Sequence, residues 1–261
     1  MNSPKDLFSL RGRKAVVIGG AGGIGKAIAT GLAAFGADTA IASRNLEGLT
    51  HAAVEIRQDC GADVRVFQVD VASEESIIRL VAKTKQAFGP ADILVNSQGL
   101  NKKFPSEEMP MDEWDAMFAV NVRGVFIACK EFGKAMIEQR YGRIINVGSI
   151  GAKRNTAAGI STCYGATKGA VDSITAALAA GWGKYGITIN NICPIMTETP
   201  MMARIFAERP QVRDDLAARV PLGRIGQVED SVGLAILLAS EAGAFINGQL
   251  IYPDGGLMAL Q

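Results

Sequence analysis

The sequence has few of the side chains that metal sites and disulfide frameworks require. Its single histidine is His51, and its four cysteines, Cys60, Cys129, Cys163 and Cys193, show no CxxC spacing. Zinc sites and disulfide-stapled folds need such residues in recognisable groups. We therefore expect no metal site and reduced cysteines, which favours cytoplasmic residence.

A strong net charge and a long apolar segment are also missing. The 261 residues carry a formal charge of only +1, so no global field would recruit nucleic acid or an anionic membrane. No apolar run is long enough to span a bilayer, and residues 1–13 lack the apolar stretch of a secretory signal. The expected partners are a small-molecule substrate and further copies of the chain, with no nucleic acid and no membrane.

The sequence does contain a regular alternation of short β-branched runs and longer, alanine-rich segments of helical period. This alternation is typical of βαβ units, which build a parallel sheet covered by helices on both faces. It predicts a single α/β domain over residues 1–261, doubly wound in the Rossmann manner around seven parallel strands. The strands are predicted at residues 15–18, 39–42, 64–69, 93–95, 144–147, 188–192 and 249–252.

Residues 197–220 interrupt the alternation. They contain Pro200, Pro210, two methionines and several charged residues. A long irregular connection of this kind is often a flap over a bound ligand, with an ordinary surface excursion as an equal alternative. The segment is therefore a candidate substrate lid within the single domain.

A glycine-rich turn joins the first predicted strand to a helix. Glycines allow a tight turn and let the backbone approach a pyrophosphate, whose charge is met by free N–H groups at the helix N-terminus. The turn, GGAGGIG at residues 19–25, fits both the GxGxxG and the GxxxGxG spacing. It predicts a dinucleotide site. The residues expected to contact the cofactor here are Gly19, Gly22, Gly23, Ile24 and Gly25.

The end of the second predicted strand bears on the choice of cofactor. In dinucleotide folds an acid at this point selects the free 2′-hydroxyl of the ribose, whereas an arginine accommodates a 2′-phosphate. The sequence here is Ser43-Arg44-Asn45, without an acid. Because Arg44 can pair with phosphate in a charge-assisted contact, we predict NADP(H), with NAD(H) as the less preferred cofactor. The alternative is that Arg44 is simply a solvated charge.

Tyr164 and Lys168 lie one turn apart on a predicted helix that reaches about Trp182, so both project from one face. A free phenol loses its proton near pH 10, roughly three units too high for a base at neutral pH. A neighbouring ammonium and a positive nicotinamide ring both favour the phenolate. The tyrosine can then exchange a proton with a substrate oxygen as hydride moves. Ser149 ends a predicted strand and is placed to hold that oxygen.

With these motifs the chain resembles the short-chain dehydrogenase/reductase family over nearly its whole length. The resemblance extends to Asp70-Val71, to NVRG at residues 121–124 and to PDGG at residues 253–256. It implies that Asn121 helps to anchor a water linking Lys168 to solvent, and that the helix of Tyr164 pairs across a two-fold axis in a dimer or tetramer. It implies a catalytic set of Asn121, Ser149, Tyr164 and Lys168. The further cofactor contacts that it implies are Ser43, Arg44, Asn45, Asp70, Val71, Asn96, Gly99, Tyr164, Lys168, Pro194, Thr197 and Thr199.

The chain departs from the family pattern at four places. The usual NNAG motif is NSQG at residues 96–99, which puts the bulkier Gln98 beside the cofactor. The usual proline-glycine pair is Pro194-Ile195, and Ile18 stands where a threonine is usual. The loop from Ser149 to Tyr164 is longer than is common. The family resemblance therefore defines the chemistry better than the shape of the substrate pocket.

The stretch from residue 99 to residue 109 resembles the branch of the family that acts on sugar acids and polyols, including gluconate 5-dehydrogenases. This implies hydride transfer between NADP(H) and a secondary alcohol or ketone of a polyol, sugar or sugar acid. The alternatives are reduction of a 3-oxoacyl thioester and a non-catalytic NADP(H) sensor. Loop cations are expected to bind an anionic substrate group, unless they are only solvated. The substrate candidates are Lys103, Gly151 and Arg154, with Lys102 and Lys153 nearby.

Overall fold

A sheet of seven parallel strands forms the centre of the computed structural model, which describes residues 4–154 and 159–260. The strands are β1 (Lys14–Ile18), β2 (Asp38–Ser43), β3 (Arg65–Gln68), β4 (Ile93–Asn96), β5 (Gly142–Val147), β6 (Ile187–Ile192) and β9 (Leu250–Ile251). Their order across the sheet is β3-β2-β1-β4-β5-β6-β9, and every pair is parallel. The predicted doubly wound α/β fold is confirmed.

Helices connect the strands and cover the sheet. Within the described ranges, no helix is both long enough and apolar enough to cross a bilayer. The helices are α1 (Gly23–Ala34), α2 (Leu46–Cys60), α3 (Glu74–Phe88), α4 (Met111–Phe118), α5 (Gly124–Gln139), α6 (Thr162–Trp182), α7 (Pro200–Glu208), α8 (Pro210–Ala217) and α9 (Val232–Ala239), with a π-helical turn (Ala119–Arg123) between α4 and α5.

The two faces of the sheet belong to two separate hydrophobic cores. On β1, Val16 packs into the core shared with α3, α5 and α6, whereas Val17 packs into the core shared with α1, α2 and α9. This follows from the two-residue period of a strand, which sends successive side chains to opposite faces. A strand buried on both faces must be apolar throughout, which explains the continuous run from Ala15 to Ile18. Each fully buried valine or isoleucine contributes roughly 1.5–3 kcal/mol.

Side-chain caps begin α2 and α3 but not α1. The Asn45 side chain accepts a hydrogen bond from the main-chain N–H of Gly48 at 3.1 Å, and Ser73 accepts one from Ser76 at 3.2 Å. The residue before α1 is Gly22, which has no side chain to cap the helix. The first N–H groups of α1 are therefore left for another acceptor.

The strand order reverses at β1, which lies between β2 and β4. In open α/β sheets such a reversal opens a crevice at the carboxyl ends of the strands, and ligands bind there. The glycine turn after β1 lies directly against the chain that follows β4. A Cβ added to Gly19 would lie 2.6 Å from the carbonyl carbon of Ser97, so only glycine permits this approach.

The interrupting segment is an ordered excursion from the sheet. A short strand, β7 (Thr197–Glu198), pairs in parallel with β8 (Gly226–Gln227), and α7 and α8 lie between them in the chain. The Glu198 carboxylate accepts hydrogen bonds from Arg213 on α8 at 3.2 Å and from Gln227 at 3.1 Å. These contacts tie the far end of the excursion to its base.

Candidate active site

Tyr164 and Lys168 lie side by side on the first turns of α6. The Lys168 side chain is 4% exposed, and its Nζ atom donates a hydrogen bond to the main-chain oxygen of Val147 at 2.7 Å. The same Nζ lies 5.6 Å from the centroid of the Tyr164 ring. Because Val147 ends β5, this bond fixes the ammonium beside the strand end that carries Ser149.

Ser149 and Tyr164 border one small space. The Ser149 hydroxyl accepts a hydrogen bond from the main-chain N–H of Gly151 at 3.1 Å. A Cβ built on Gly151 would lie 3.3 Å from Ser149 Oγ and 3.8 Å from Tyr164 Cδ1. Gly151 therefore occupies a point within van der Waals reach of both the serine hydroxyl and the tyrosine ring, and its lack of a side chain keeps this space open.

Asn121 connects the loop after β4 to α6. It lies in the π-helical turn and is fully buried. Its Oδ1 accepts from the N–H of Leu100 at 2.7 Å, while its Nδ2 donates to the Leu100 oxygen at 2.8 Å and to Thr167 Oγ1 at 3.0 Å. Since both amide protons are used in this way, donation of a hydrogen bond to a water would have to come from another group. π-Helical turns frequently occur at functional sites.

Gly99 brings the same loop next to Lys168. A Cβ on Gly99 would lie 3.9 Å from Asn121 Oδ1 and 4.0 Å from Lys168 Nζ, with nothing closer. Gly99, the last residue of the NSQG motif, thus faces the Lys168 ammonium and the Asn121 side chain across an ordinary contact distance. The structure brings together the four predicted catalytic residues around the ends of β4 and β5.

The geometry of the glycine turn favours the GxxxGxG spacing. Gly19 and Gly23 have φ angles of +86° and +52°, which favour glycine. A Cβ on Gly25 would lie only 2.3 Å from the Gly19 oxygen. Only the GxGxxG spacing requires Gly20 and Gly22. A Cβ on Gly20 would lie 2.7 Å from Ile41 Cγ2, but a Cβ on Gly22 would have no atom within 4 Å, so this spacing includes one glycine that the structure does not need. Ile24 is partly buried against the core below the turn.

Arg44 stands at the end of β2 with its side chain exposed. Its main-chain oxygen accepts a hydrogen bond from Gln68 Nε2 at 2.9 Å. Its guanidinium forms no hydrogen bond or ion pair with any residue in the described ranges. On either side, the Ser43 hydroxyl donates weakly to the Asn45 oxygen at 3.4 Å, and Asn45 caps α2. The main chain around Arg44 is thus held by hydrogen bonds, while the guanidinium is left able to bind a ligand.

The predicted adenine and strand-end contacts lie along the same crevice, but not all their side chains face it. Asp70 is exposed, and its Oδ1 accepts from the N–H of Ala72 at 3.0 Å, while Val71 is buried. Asn96 is 1% exposed, and its Nδ2 donates to Asn146 Oδ1 at 2.9 Å. The Asn96 side chain therefore lies in the interior, where its Oδ1 has no hydrogen-bond partner among the described residues.

After β6 the chain returns to the glycine turn. The Pro194 oxygen accepts from the N–H of Ile150 at 3.2 Å. The Thr197 hydroxyl donates to the Ile195 oxygen at 2.8 Å, and Thr199 Cγ2 would lie 3.3 Å from a Cβ on Gly23. Thr199 therefore reaches the glycine turn across the crevice.

Gly226 accommodates the unusual Ile195. A Cβ on Gly226 would lie 3.0 Å from Ile195 Cγ2, so the isoleucine packs over a residue without a side chain. The departure from the family pattern is matched by a nearby glycine on β8.

The positively charged side chains of the two loops differ in their hydrogen bonds and ion pairs. Arg154 Nη1 donates to the main-chain oxygen of Leu257 at 2.7 Å, which ties this loop to the C-terminal turn. Lys102 forms an ion pair with Glu113. Lys103 is exposed and has no hydrogen bond or ion pair with a described residue. Residues 155–158, within the long loop before Tyr164, lie outside the described ranges. Because one end of its guanidinium binds the Leu257 oxygen, Arg154 has a structural contact that its position in the sequence did not indicate.

Sequence reasoning also missed a buried polar network beneath the site. Asn96 donates to Asn146, and Asn146 Nδ2 donates to Thr175 Oγ1 on α6 at 2.9 Å. The network joins β4 and β5 to the helix of Tyr164 and Lys168. The available signal was an asparagine beside the apolar residues Ile144, Ile145 and Val147 of β5, where a buried polar side chain needs a partner.

The thiol beside Tyr164 is buried. Cys163 is 3% exposed, and burial raises the pKa of its thiol. Burial also raises the pKa of Cys193, which follows β6, to about 12. Neither group has the depressed pKa of a reactive cysteine.

Comparison with known proteins places the whole chain among nicotinamide-linked enzymes. A family model described as "Enoyl-(Acyl carrier protein) reductase" matches residues 19–258. The gluconate 5-dehydrogenase of Gluconobacter oxydans is 38% identical over 255 residues, covering 98% of each chain. The D-threitol dehydrogenase of Mycolicibacterium smegmatis is 36% identical over 249 residues, covering 95% of this chain and 94% of that protein.

A solved structure gives the same picture. The gluconate 5-dehydrogenase of Burkholderia cenocepacia, crystallised in complex with NADP and tartrate, superimposes with a TM-score of 0.90 at 35% identity. The match covers 98% of this chain and 99% of that one.

Proposed function

The chain belongs to the short-chain dehydrogenase/reductase family, and we propose that it transfers hydride between NADP(H) and a secondary alcohol or ketone of a polyol, sugar or sugar acid. It is an NAD(P)-dependent oxidoreductase that acts on CH–OH groups. The substrate class is supported by relatives named for gluconate and D-threitol, each aligned over at least 94% of its length.

The observation that carries the proposal is the space shared by Ser149 and Tyr164 at Gly151. In oxidation, the Ser149 hydroxyl would hold the substrate oxygen by hydrogen bonding, and the Tyr164 phenolate would take the hydroxyl proton. A nicotinamide cofactor held in the crevice would supply the acceptor for the hydride that leaves the carbon bearing this hydroxyl. In reduction, Tyr164 would return a proton to the carbonyl oxygen.

Lys168 would keep Tyr164 competent for this exchange. An ammonium within 6 Å of the ring favours the negative phenolate, and burial strengthens that attraction because water screens it less. An ammonium has three N–H donors, and the Val147 oxygen takes one of them. Among the described residues no other acceptor is bonded to it, which leaves donors for a cofactor ribose and for water. Asn121 would support this arrangement by holding Gly99 and Leu100 in place.

The crevice residues fit a nicotinamide dinucleotide. The uncapped start of α1 offers N–H groups to a pyrophosphate, and the space at Gly22 is open to it. Thr199 closes the same turn from the other side. The exposed Arg44 guanidinium, without a partner in the described part of the chain, supports a preference for the 2′-phosphate of NADP(H) over NAD(H).

Residues 197–220 would form a lid over the substrate, with α7 and α8 as its body and the contact between Glu198 and Arg213 as its anchor. We also propose a homo-oligomer, a dimer or tetramer, and cytoplasmic residence. One stripe of small residues along α6 supports assembly because it faces outward, unlike the buried Gly165 and Ala179 of the same helix. Those exposed are Ala166, Ser173, Ala177 and Ala180, and Ala170 is half-buried.

A substrate screen tests the proposal. Purified protein would be assayed by the absorbance of NADPH and NADH against sugar acids, polyols and an acetoacetyl thioester. We expect turnover of a sugar acid or polyol, faster with NADP(H). Turnover confined to the acetoacetyl thioester would contradict the proposed substrate class. Cofactor binding without turnover of any member would instead favour a sensor.

A further inference from the structure

The carboxamide of Gln98 is buried without a hydrogen-bond partner in the described part of the chain. The residue is 8% exposed, and neither Oε1 nor Nε2 is hydrogen-bonded. A carboxamide carries two donors and one acceptor, and burying them unpaired is unfavourable. Buried polar groups in native proteins are almost always paired, so this one needs a physical reason.

The position of Gln98 points to that reason. Its main-chain nitrogen would lie 2.7 Å from a Cβ on Gly19, so it packs directly on the glycine turn. The next residue, Gly99, faces Lys168 Nζ and Asn121 Oδ1 at about 4 Å. Gln98 thus sits between the turn that would bind the pyrophosphate and the residues that would act at the reactive end of the cofactor.

The side chains of the two residues before Gln98 are directed elsewhere. Asn96, two residues earlier, is bonded to Asn146 in the interior network, and Ser97 turns toward the glycine turn, with its Oγ 3.0 Å from a Cβ on Gly25. The family pattern has alanine in place of Gln98. A long polar side chain at this point therefore departs from the usual family pattern.

We propose that Gln98 is a cofactor-binding residue whose carboxamide hydrogen-bonds to ribose hydroxyls of the bound dinucleotide. A hydroxyl both donates and accepts, as the amide does, so the two groups are complementary. The side chain must rotate to reach the crevice, and Gly99 leaves room, because a Cβ there would have nothing closer than 3.9 Å. The inference rests on the proposed dinucleotide site.

The test separates the stability of the free protein from cofactor affinity. Gln98→Ala and Gln98→Met, the latter keeping the length of the side chain, would be compared with wild type. We expect the Kd for NADP⁺, measured by direct titration, to rise about three- to tenfold, the effect of one lost hydrogen bond. The melting temperature of the free protein should stay equal or increase, because an unpaired amide is removed.

Gln139→Ala is the matched control. Gln139 Nε2 donates to the oxygens of Ala91 at 3.2 Å and Tyr141 at 3.0 Å, at the opposite end of the sheet from the crevice. Its removal should lower the melting temperature and leave the Kd unchanged.

Two results would overturn the inference. One is an unchanged Kd in both Gln98 variants. The other is a lower melting temperature with a normal Kd in the Gln98 variants, as expected for Gln139→Ala. That result would show that the Gln98 amide stabilises the fold and does not bind the cofactor. If the wild-type protein binds neither NADP⁺ nor NAD⁺, the proposed function is wrong. This result differs from one in which wild type binds the cofactor and only the inference about Gln98 is wrong.

Discussion

Replacing Asn121 by alanine tests how the π-helical turn holds the loop after β4 against α6. The change removes three hydrogen bonds, two to the main chain of Leu100 and one to the Thr167 hydroxyl. Thr167 is fully buried, so its hydroxyl has no access to water, whereas Leu100 is half-buried and its groups can regain water. Leaving the buried Thr167 hydroxyl without this partner should lower the free energy of unfolding by about 1–3 kcal/mol, and the two groups of Leu100 should cost less. The total loss of stability is then roughly 2–4 kcal/mol.

For a chain of this size each kcal/mol lowers the melting temperature by about 2–4 °C, so we expect a decrease on the order of 5–15 °C. The assay is thermal unfolding of the cofactor-free protein, followed by far-UV circular dichroism. Asn121→Asp should be no more stable than Asn121→Ala, since it loses both amide donors and places a carboxylate oxygen near the Leu100 carbonyl. Asn101→Ala, in the same loop with an exposed side chain, is the control. A melting temperature equal to that of wild type for Asn121→Ala would refute this reasoning.

Three further outcomes follow from the site. Arg44→Ser should raise the KM for NADPH about tenfold, the effect of a lost charge-assisted contact at an exposed position, while kinetics with NADH stay unchanged; equal effects on both cofactors would contradict this role. Gly25→Ala should abolish cofactor binding, because the added Cβ would lie 2.3 Å from a main-chain oxygen of the same turn, and a normal Kd by titration would refute that geometry. Brief treatment of the native protein with iodoacetamide near pH 8 should label Cys60 first by mass spectrometry, and early labelling of any other thiol would be inconsistent with the burial. Burial covers the other three thiols, Cys129, Cys163 and Cys193, and raises their pKa values, to about 12 for Cys129 and Cys193.

The parts of the fold that local patterns determine were predictable from the sequence. Inner strands such as β1 and β4 are buried along almost their whole length, so apolar and β-branched residues dominate them. Each of the seven strands was predicted within a few residues of its bounds. The glycine turn was equally predictable, because the backbone conformations that require glycine are set within a few neighbouring residues. The sequence left two spacings open, and the φ angles of Gly19 and Gly23, with the open space at Gly22, favour the GxxxGxG spacing.

Contacts between distant segments were not predictable in the same way. Arg154 meets the Leu257 oxygen across 103 positions of the sequence, and nothing in the loop indicates that the C-terminal turn lies beside it. The bonds of Asn121 to Leu100 likewise depend on how the π-helical turn is placed against the end of β4. Such pairings are set by tertiary packing, so they become visible only when the elements are assembled. The short β7 and β8 pair was also missed, because Thr197–Glu198 and Gly226–Gln227 lie outside the apolar, β-branched runs that predict strands.

The proton-transferring role of Tyr164 is tested most directly by Tyr164→Phe, which removes one hydroxyl and keeps the ring beside Lys168. We expect kcat to fall by about 100-fold or more, the scale of losing general acid–base help, while the Kd for NADP⁺ stays near that of wild type. Near-normal turnover by this variant with an intact cofactor site would contradict the proposed chemistry.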